Sequence, residues 1–271
     1  PEGEVEDYKI TIAEAAPVSR RDRPTTSAWS AAPTARRGWR RPFAALALAL
    51  AVVGVLIAWR ARTRMQPAPH RPPAAATGAL PENPAPASLD DCVAAIRYIV
   101  ANAAEFGADG SRFAIGGDSA GGNLTAASAL RLRDEGGPKA KLLLLFYGAY
   151  TGDTTLPSVI ENGEGKILTL KAMEWFYGHY LSGGASTDDP YIAPIKGDLK
   201  GLPPAHLIVG TQDPLLDDSK LFAEALEKAG VPAKLSIYQD QVHVFLQLTA
   251  MLDGAKKAMA ESVDALKAAL A

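Results

Sequence analysis

Between Phe113 and Asn123 the chain reads Phe-Ala-Ile-Gly-Gly-Asp-Ser-Ala-Gly-Gly-Asn, an order that few backbones accept. Phe113-Ala114-Ile115 has the apolar character of a short buried strand, and the residues from Leu124 to Arg133 are good helix formers. Only a sharp turn can join the two. Gly117-Asp118-Ser119-Ala120-Gly121 fits the G-x-S-x-G pattern, in which a strained strand-to-helix turn holds a serine at an exposed apex. The flanking glycines are then required because side chains would collide with the adjoining strand and helix. The same turn leaves the amide of Ala120 unpaired at a helix start, free to donate to an oxyanion. A plain Gly-rich connection is the competing reading. A phosphate cradle is discounted, because no G-x-x-x-x-G-K-[ST] run is present.

The longer string Gly117-Asp118-Ser119-Ala120-Gly121-Gly122-Asn123 resembles the signature of the hormone-sensitive-lipase-like esterases, a branch of the α/β-hydrolases. The resemblance extends from about Leu80 to the C-terminus, and Leu80-Pro81-Glu82-Asn83-Pro84 is similar to the family's segment ahead of its next helix. It implies an α/β fold, the α/β-hydrolase with a parallel sheet flanked by helices. It also implies a serine carboxylesterase acting on short to medium acyl esters.

A serine at neutral pH is a weak nucleophile and needs a base held by a carboxylate. The chain has four histidines, His70, His179, His206 and His243, so the choice of base is narrow. In α/β-hydrolases the order is nucleophile, acid, histidine. Asp213 follows the apolar run Leu207–Gly210, in a loop at a strand's C-terminal end. The alternative is that Asp213, Asp217 and Asp218 cap the following helix; Asp217 is taken as the cap and Asp213 as the acid. His243, in Gln241-Val242-His243-Val244-Phe245, lies beyond the last expected strand and matches the family's base in placement. A satisfied core histidine is the competing reading there. The family has glycine where Val244 stands, a departure that crowds or stiffens this loop. On the resemblance, Ser119, Asp213 and His243 form the catalytic set, Ala120 supplies an oxyanion amide, and Asp118 steadies the elbow. No cofactor or metal is implied.

The rest of the chain from about residue 80 alternates helix and strand, the pattern of a parallel α/β sheet. Ser88 or Asp90 is expected to cap a helix with an apolar face of Leu89, Cys92, Val93, Ile96, Ile99 and Val100. Leu142–Tyr147 is a continuous apolar run, as in a strand buried on both faces. Residues 152–190 form a helical excursion whose Trp175, Phe176, Tyr177 and Tyr180 are expected as core, with an acyl pocket the alternative. Leu216–Ala229 is an amphipathic helix stopped by Gly230, Lys234–Tyr238 the last strand, and Ala255–Leu270 the final helix. The single cysteine, Cys92, excludes an internal disulfide framework. A net charge of −2 argues against a general nucleic-acid binder.

Residues 1–79 are of another kind. Glu4–Ile12 alternates like a surface strand, but from Arg23 to Pro81 the chain has no Asp, Glu or Lys and abounds in Arg, Ala and Pro. Within it Phe43–Trp59 is uncharged and flanked by arginines on both sides. Read literally, this is a membrane span at the short end of the ~17–25 residues required, which makes the protein single-pass and anchored. That reading carries the alternative function, a membrane-anchored module with weak or no catalysis. The other reading is that residues 20–79 are an out-of-frame translation within an ordinary esterase gene, which makes the intact protein cytoplasmic. Either way the first half of the family's sheet and its His-Gly-Gly-Gly oxyanion loop are missing from the expected place. The Gly-Gly pairs start at 116, 121, 136 and 183, and none follows a histidine. Impaired activity and a poorly supported fold are the expectation for the sequence as written. The expected partner is a small-molecule ester, with a membrane partner only if the span is real.

Overall fold

The structure, a computed structural model, describes residues 83–271. Its sheet is built from runs rich in Leu, Ile and Val that are too short for helices and bounded by Gly or Pro. The strands are β1 (Ile115–Asp118), β2 (Leu143–Phe146), β3 (Ala205–Gln212) and β4 (Ala233–Val242). They lie in the order β1-β2-β3-β4, all parallel. Parallel neighbours need crossovers. The helices that supply or flank them are α1 (Ala87–Ala101), α2 (Ala120–Asp134), α3 (Pro157–Asn162), α4 (Leu170–Tyr180), α5 (Leu216–Lys228) and α6 (Asp253–Leu270).

The unbroken leucine run of β2 follows from burial on both sides. Leu143 and Leu145 pack into a cluster with Leu89, Val93 and Ile96 of α1, Leu130 of α2 and Phe222 and Leu226 of α5. Leu142 and Leu144 point the other way, onto Ala265, Leu266 and Ala269 of α6. Alternation along one strand thus fills two helical layers. Burying each such side chain contributes about 1.5–3 kcal/mol.

Several expectations about element ends are corrected. Neither Ser88 nor Asp90 caps α1: Pro86 stands at the N-cap and no side chain bonds there. Both residues lie inside the first turn, and Asp90 is engaged instead by Arg131 of α2. Ile99 and Val100 are only half-buried. Asp217 does not cap α5 either; Leu215 holds that position. The Asp217 carboxylate accepts from the Ser158 amide (2.8 Å) and from Lys220 Nζ (3.0 Å), fastening α3 to α5.

The 152–190 excursion is helical as expected, carrying α3 and α4, but two of the four aromatics expected as core meet solvent, whereas Tyr177 and Tyr180 are half-buried. Trp175 is 60% and Phe176 51% exposed. The inner face of α4 runs through Met173, which packs with Val159, Leu168 and Leu215. Trp175, two residues further along the helix, points away from that face and lies edge-on to His179. The apolar run Phe43–Trp59 lies outside the described residues, as does Glu4–Ile12. Among the described residues no helix is long and apolar enough to cross a membrane.

Candidate active site

Ser119, Asp213 and His243 follow the C-terminal ends of β1, β3 and β4 respectively. That is the edge where open parallel sheets present ligand sites. Ser119 sits at φ 55°, ψ −119°, between the last residue of β1 and the first of α2. Its amide is tied to the Phe146 carbonyl of β2 (2.9 Å), so the strained apex is held from the neighbouring strand. Gly117 has to be glycine: a Cβ there would meet the Gly121 carbonyl oxygen at 2.3 Å. Gly121 does not share that need, since a Cβ there meets nothing within 4 Å. The Ala120 amide opens α2 and therefore has no acceptor within the helix; Ala120 itself is exposed.

The histidine arrives by a route that the sequence pattern did not show. β4 does not stop at Tyr238 but runs to Val242, which brings His243 directly onto the strand's end. Register with β3 slips on the way: Gly210 pairs with Tyr238, whereas Gln212 pairs with Val242. The extra residues bulge out at Asp240, which has φ 58° and bonds through its amide to Thr211 Oγ1 (2.9 Å). The bulge presses the Gln241 carbonyl over Gly210, where a Cβ would lie 2.0 Å from that oxygen. Immediately after His243, Val244 takes a left-handed conformation at φ 57° and starts a 3₁₀ turn, Phe245–Leu248.

These three side chains converge. His243 Nε2 is 2.9 Å from Ser119 Oγ, and His243 Nδ1 is 2.8 Å from Asp213 Oδ2. Asp213 is fully buried and His243 4% exposed, whereas Ser119 is half-open to solvent. With Asp213 ionised, Nδ1–H donates to the carboxylate and Nε2 accepts from the serine hydroxyl, the tautomer that this chain of partners selects. The second oxygen of Asp213 accepts from the Leu215 amide (2.8 Å). One oxygen of Asp213 thus holds the turn ahead of α5 while the other faces His243.

Neighbouring groups hold the arrangement. Asp118 Oδ2 accepts from Gln247 Nε2 (3.1 Å), linking the elbow to the turn that carries His243. Asn162 of α3 reaches the Asp213 carbonyl at 3.4 Å. Asp218 lies beneath, 2% exposed, and its Oδ1 accepts from the amides of Tyr150 and Thr151 and from Thr151 Oγ1 at 2.7–2.9 Å. Burial raises the Asp218 carboxyl to about 6, with those donors opposing the shift. Sequence reading grouped Asp218 with its neighbours as a helix cap; its true partners are some seventy residues away and left no local signal. Tyr147 was likewise read only as the end of a strand, yet its ring lies against His243, centroid to centroid 5.0 Å.

Other candidates stay apart. His206 is buried in β3, with Nε2 3.0 Å from Ser236 Oγ, and His179 lies on α4 beside Trp175. His70 is outside the described residues. Among the described residues no group of His, Cys, Asp or Glu converges to hold a metal ion. The thiol of Cys92 is pushed up to about 12 by burial, as befits a packing residue.

Comparison with known proteins agrees with this fold. The model of a family described as alpha/beta hydrolase fold matches residues 79–247. A carboxylesterase of Mycobacterium tuberculosis, NlhH, is 41% identical over 194 residues, covering 70% of this chain and 61% of that protein. An ethyl acetate hydrolase of Pseudomonas putida is 31% identical over 186 residues, covering 67% and 58%. The chain thus spans about three-fifths of the length of the curated relatives it matches. Among solved structures, an esterase of Pyrobaculum calidifontis superposes with a TM-score of 0.68 at 34% identity, covering 71% of this chain and 64% of that one. The metagenomic carboxylesterase EstE1 gives 0.69 at 30% identity, covering 71% and 66%. With strand order, elbow and family match in agreement, the chain belongs to the α/β-hydrolases, in their hormone-sensitive-lipase-like branch.

Proposed function

We propose that this protein is a serine carboxylesterase acting on short to medium acyl esters, with Ser119 as nucleophile, His243 as general base and acid, and Asp213 as its carboxylate partner. The observation that carries the reading is the unbroken chain from Ser119 Oγ through the imidazole to Asp213, with links of 2.9 and 2.8 Å. The relatives named above as carboxylesterases and an ethyl acetate hydrolase support an ester substrate.

In this mechanism Ser119 Oγ attacks the ester carbonyl carbon while His243 Nε2 takes the hydroxyl proton. The carbonyl oxygen becomes an oxyanion and accepts from the Ala120 amide. Asp213, ionised and buried, orients the imidazole and offsets its positive charge without taking the proton. Collapse breaks the C–O bond to the alcohol, which leaves with the proton from His243. Water then repeats the sequence on the acyl-serine: His243 takes its proton, the acid departs, and Ser119 regains its hydrogen. The reaction needs no cofactor.

Hydrolysis of a p-nitrophenyl acetate to decanoate series tests the reading. The expected result is turnover that declines with the longer chains and vanishes in Ser119→Ala. Equal release of p-nitrophenol by the wild type and Ser119→Ala overturns it.

A further inference from the structure

We propose that Tyr147 is a positioning residue for His243: its ring fixes the imidazole between Ser119 and Asp213 and favours the cationic form that His243 takes on during attack. The proposal rests on the esterase reading above and adds a residue to it.

Tyr147 is the first residue beyond β2, and its amide donates to the Ile208 carbonyl (2.7 Å). Its φ of 37° is one that residues other than glycine rarely adopt. Strain of this kind persists only where the surroundings enforce it, and it gathers at functional sites. Here the enforced conformation sends a large side chain, 1% exposed, under the histidine. The ring stands at 64° to the imidazole with centroids 5.0 Å apart, and Phe245 packs against it at 5.9 Å. Ile208 and Val209 complete the wall. The imidazole therefore has the tyrosine ring on one side while its two nitrogens face Ser119 and Asp213.

A cation over the face of an aromatic ring is attracted by its quadrupole, more strongly where water is excluded, and on this proposal the tilted imidazole sits against that face. His243 gains positive charge when it takes the serine proton, so the contact strengthens along the reaction. The charged and titratable groups around the pair are Asp213 after β3, Asp118 at the elbow and the Ser119 hydroxyl. Burial and the charges of Asp118 and Asp213 push the Tyr147 hydroxyl far above its ordinary range, so the phenol stays neutral and acts through its ring.

The test compares three variants by ester kinetics across pH and by labelling of Ser119 with a fluorophosphonate. Tyr147→Phe keeps the ring and is expected to retain at least half the turnover. Tyr147→Leu removes the ring and is expected to lower kcat about 5- to 30-fold with KM changed less than about twofold. The acid limb of its kcat/KM profile moves to lower pH. Replacing Tyr147 by pentafluorophenylalanine keeps the shape and reverses the quadrupole, so it should reproduce the kcat loss and the moved limb even if Tyr147→Leu fails to fold. The proposal is overturned if the pentafluorinated variant matches Tyr147→Phe in kcat and pH profile. It is equally overturned if Tyr147→Phe falls as far as the ringless variant, which places the effect in the hydroxyl. Failure of the wild type to take up the label is a different result, and it removes the esterase reading itself.

Discussion

Four residues other than glycine have positive φ among the described residues: Ser119, Tyr147, Asp240 and Val244. All lie at or near the C-terminal ends of β1, β2 and β4. A left-handed conformation costs an L-residue about 1–2 kcal/mol, and for a β-branched side chain such as Val244 it is a genuine outlier. Elsewhere glycine is worse than alanine; at position 244 the order should reverse. Both Val244→Ala and Val244→Gly lose the contact with Phe245 and its neighbours, but only glycine relieves the strain. Val244→Gly is expected to be more stable than Val244→Ala by about 1 kcal/mol, read as a higher midpoint in urea. Asp213→Asn should keep the fold, since asparagine can still accept from the Leu215 amide, yet lower kcat about 10⁴-fold through the wrong histidine tautomer. At this scale Ser119, Asp213, His243 and the oddity of Val244 were legible, because motif and chain order carry them. Tyr147 was not, since nothing local distinguishes a tyrosine that ends a strand from one that props a histidine.

Elements were legible in kind and less so in extent. The leucine run of β2 and the periodicity of α1 and α5 identified them, but β4 outran its apolar run by four residues because a bulge at Asp240 carries the ladder on through polar residues. Caps were misread where a carboxylate had a better partner in another element, as with Asp90 on Arg131 and Asp217 on Ser158. Asp218 shows the same principle at higher stakes. Asp218→Ala strands the buried Tyr150 and Thr151 amides, and each lost acceptor costs about 1–3 kcal/mol. Asp218→Asn, which keeps an acceptor, should lose much less by chemical denaturation.

The polar cluster joining β3, β4 and α6 gives a pH signature. Glu261 of α6 accepts from Lys234 Nζ, Ser236 Oγ and Tyr238 Oη at 2.6–2.8 Å, beside His206. Those donors outweigh its desolvation and hold it near 2. Burial lowers His206 below its ordinary 6.5, against the pull of Glu261. A histidine whose folded value is depressed binds fewer protons folded than unfolded, so stability falls as pH drops through 6.5. Wild type should therefore lose stability relative to His206→Gln between pH 7.5 and 5. A constant difference across that range contradicts it.

At the scale of the whole molecule, the fold class was legible from alternation and the elbow alone, and the four-stranded parallel sheet bears it out. Among the described residues β1 pairs only with β2, and the Ala120 amide is the oxyanion donor proposed at the elbow. The stretch from Arg23 to Pro81 is not legible in the same way, since its Lys-free Arg/Ala/Pro composition carries neither a strand pattern nor a glycine loop. The two readings of residues 1–79 separate at the DNA across codons 18 to 81. A His-Gly-Gly-Gly run in another frame supports mistranslation, and its absence from every frame supports the sequence as written.

The claim on which everything else depends is that Ser119 is activated by His243 and Asp213. Incubation with a fluorophosphonate, followed by mass spectrometry of the digested protein, tests it without any assumption about the substrate. The account expects one adduct, on Ser119, absent from Ser119→Ala and formed at least about 10²-fold more slowly in His243→Ala. An unlabelled Ser119 in folded protein, or labelling at the same rate without His243, contradicts it.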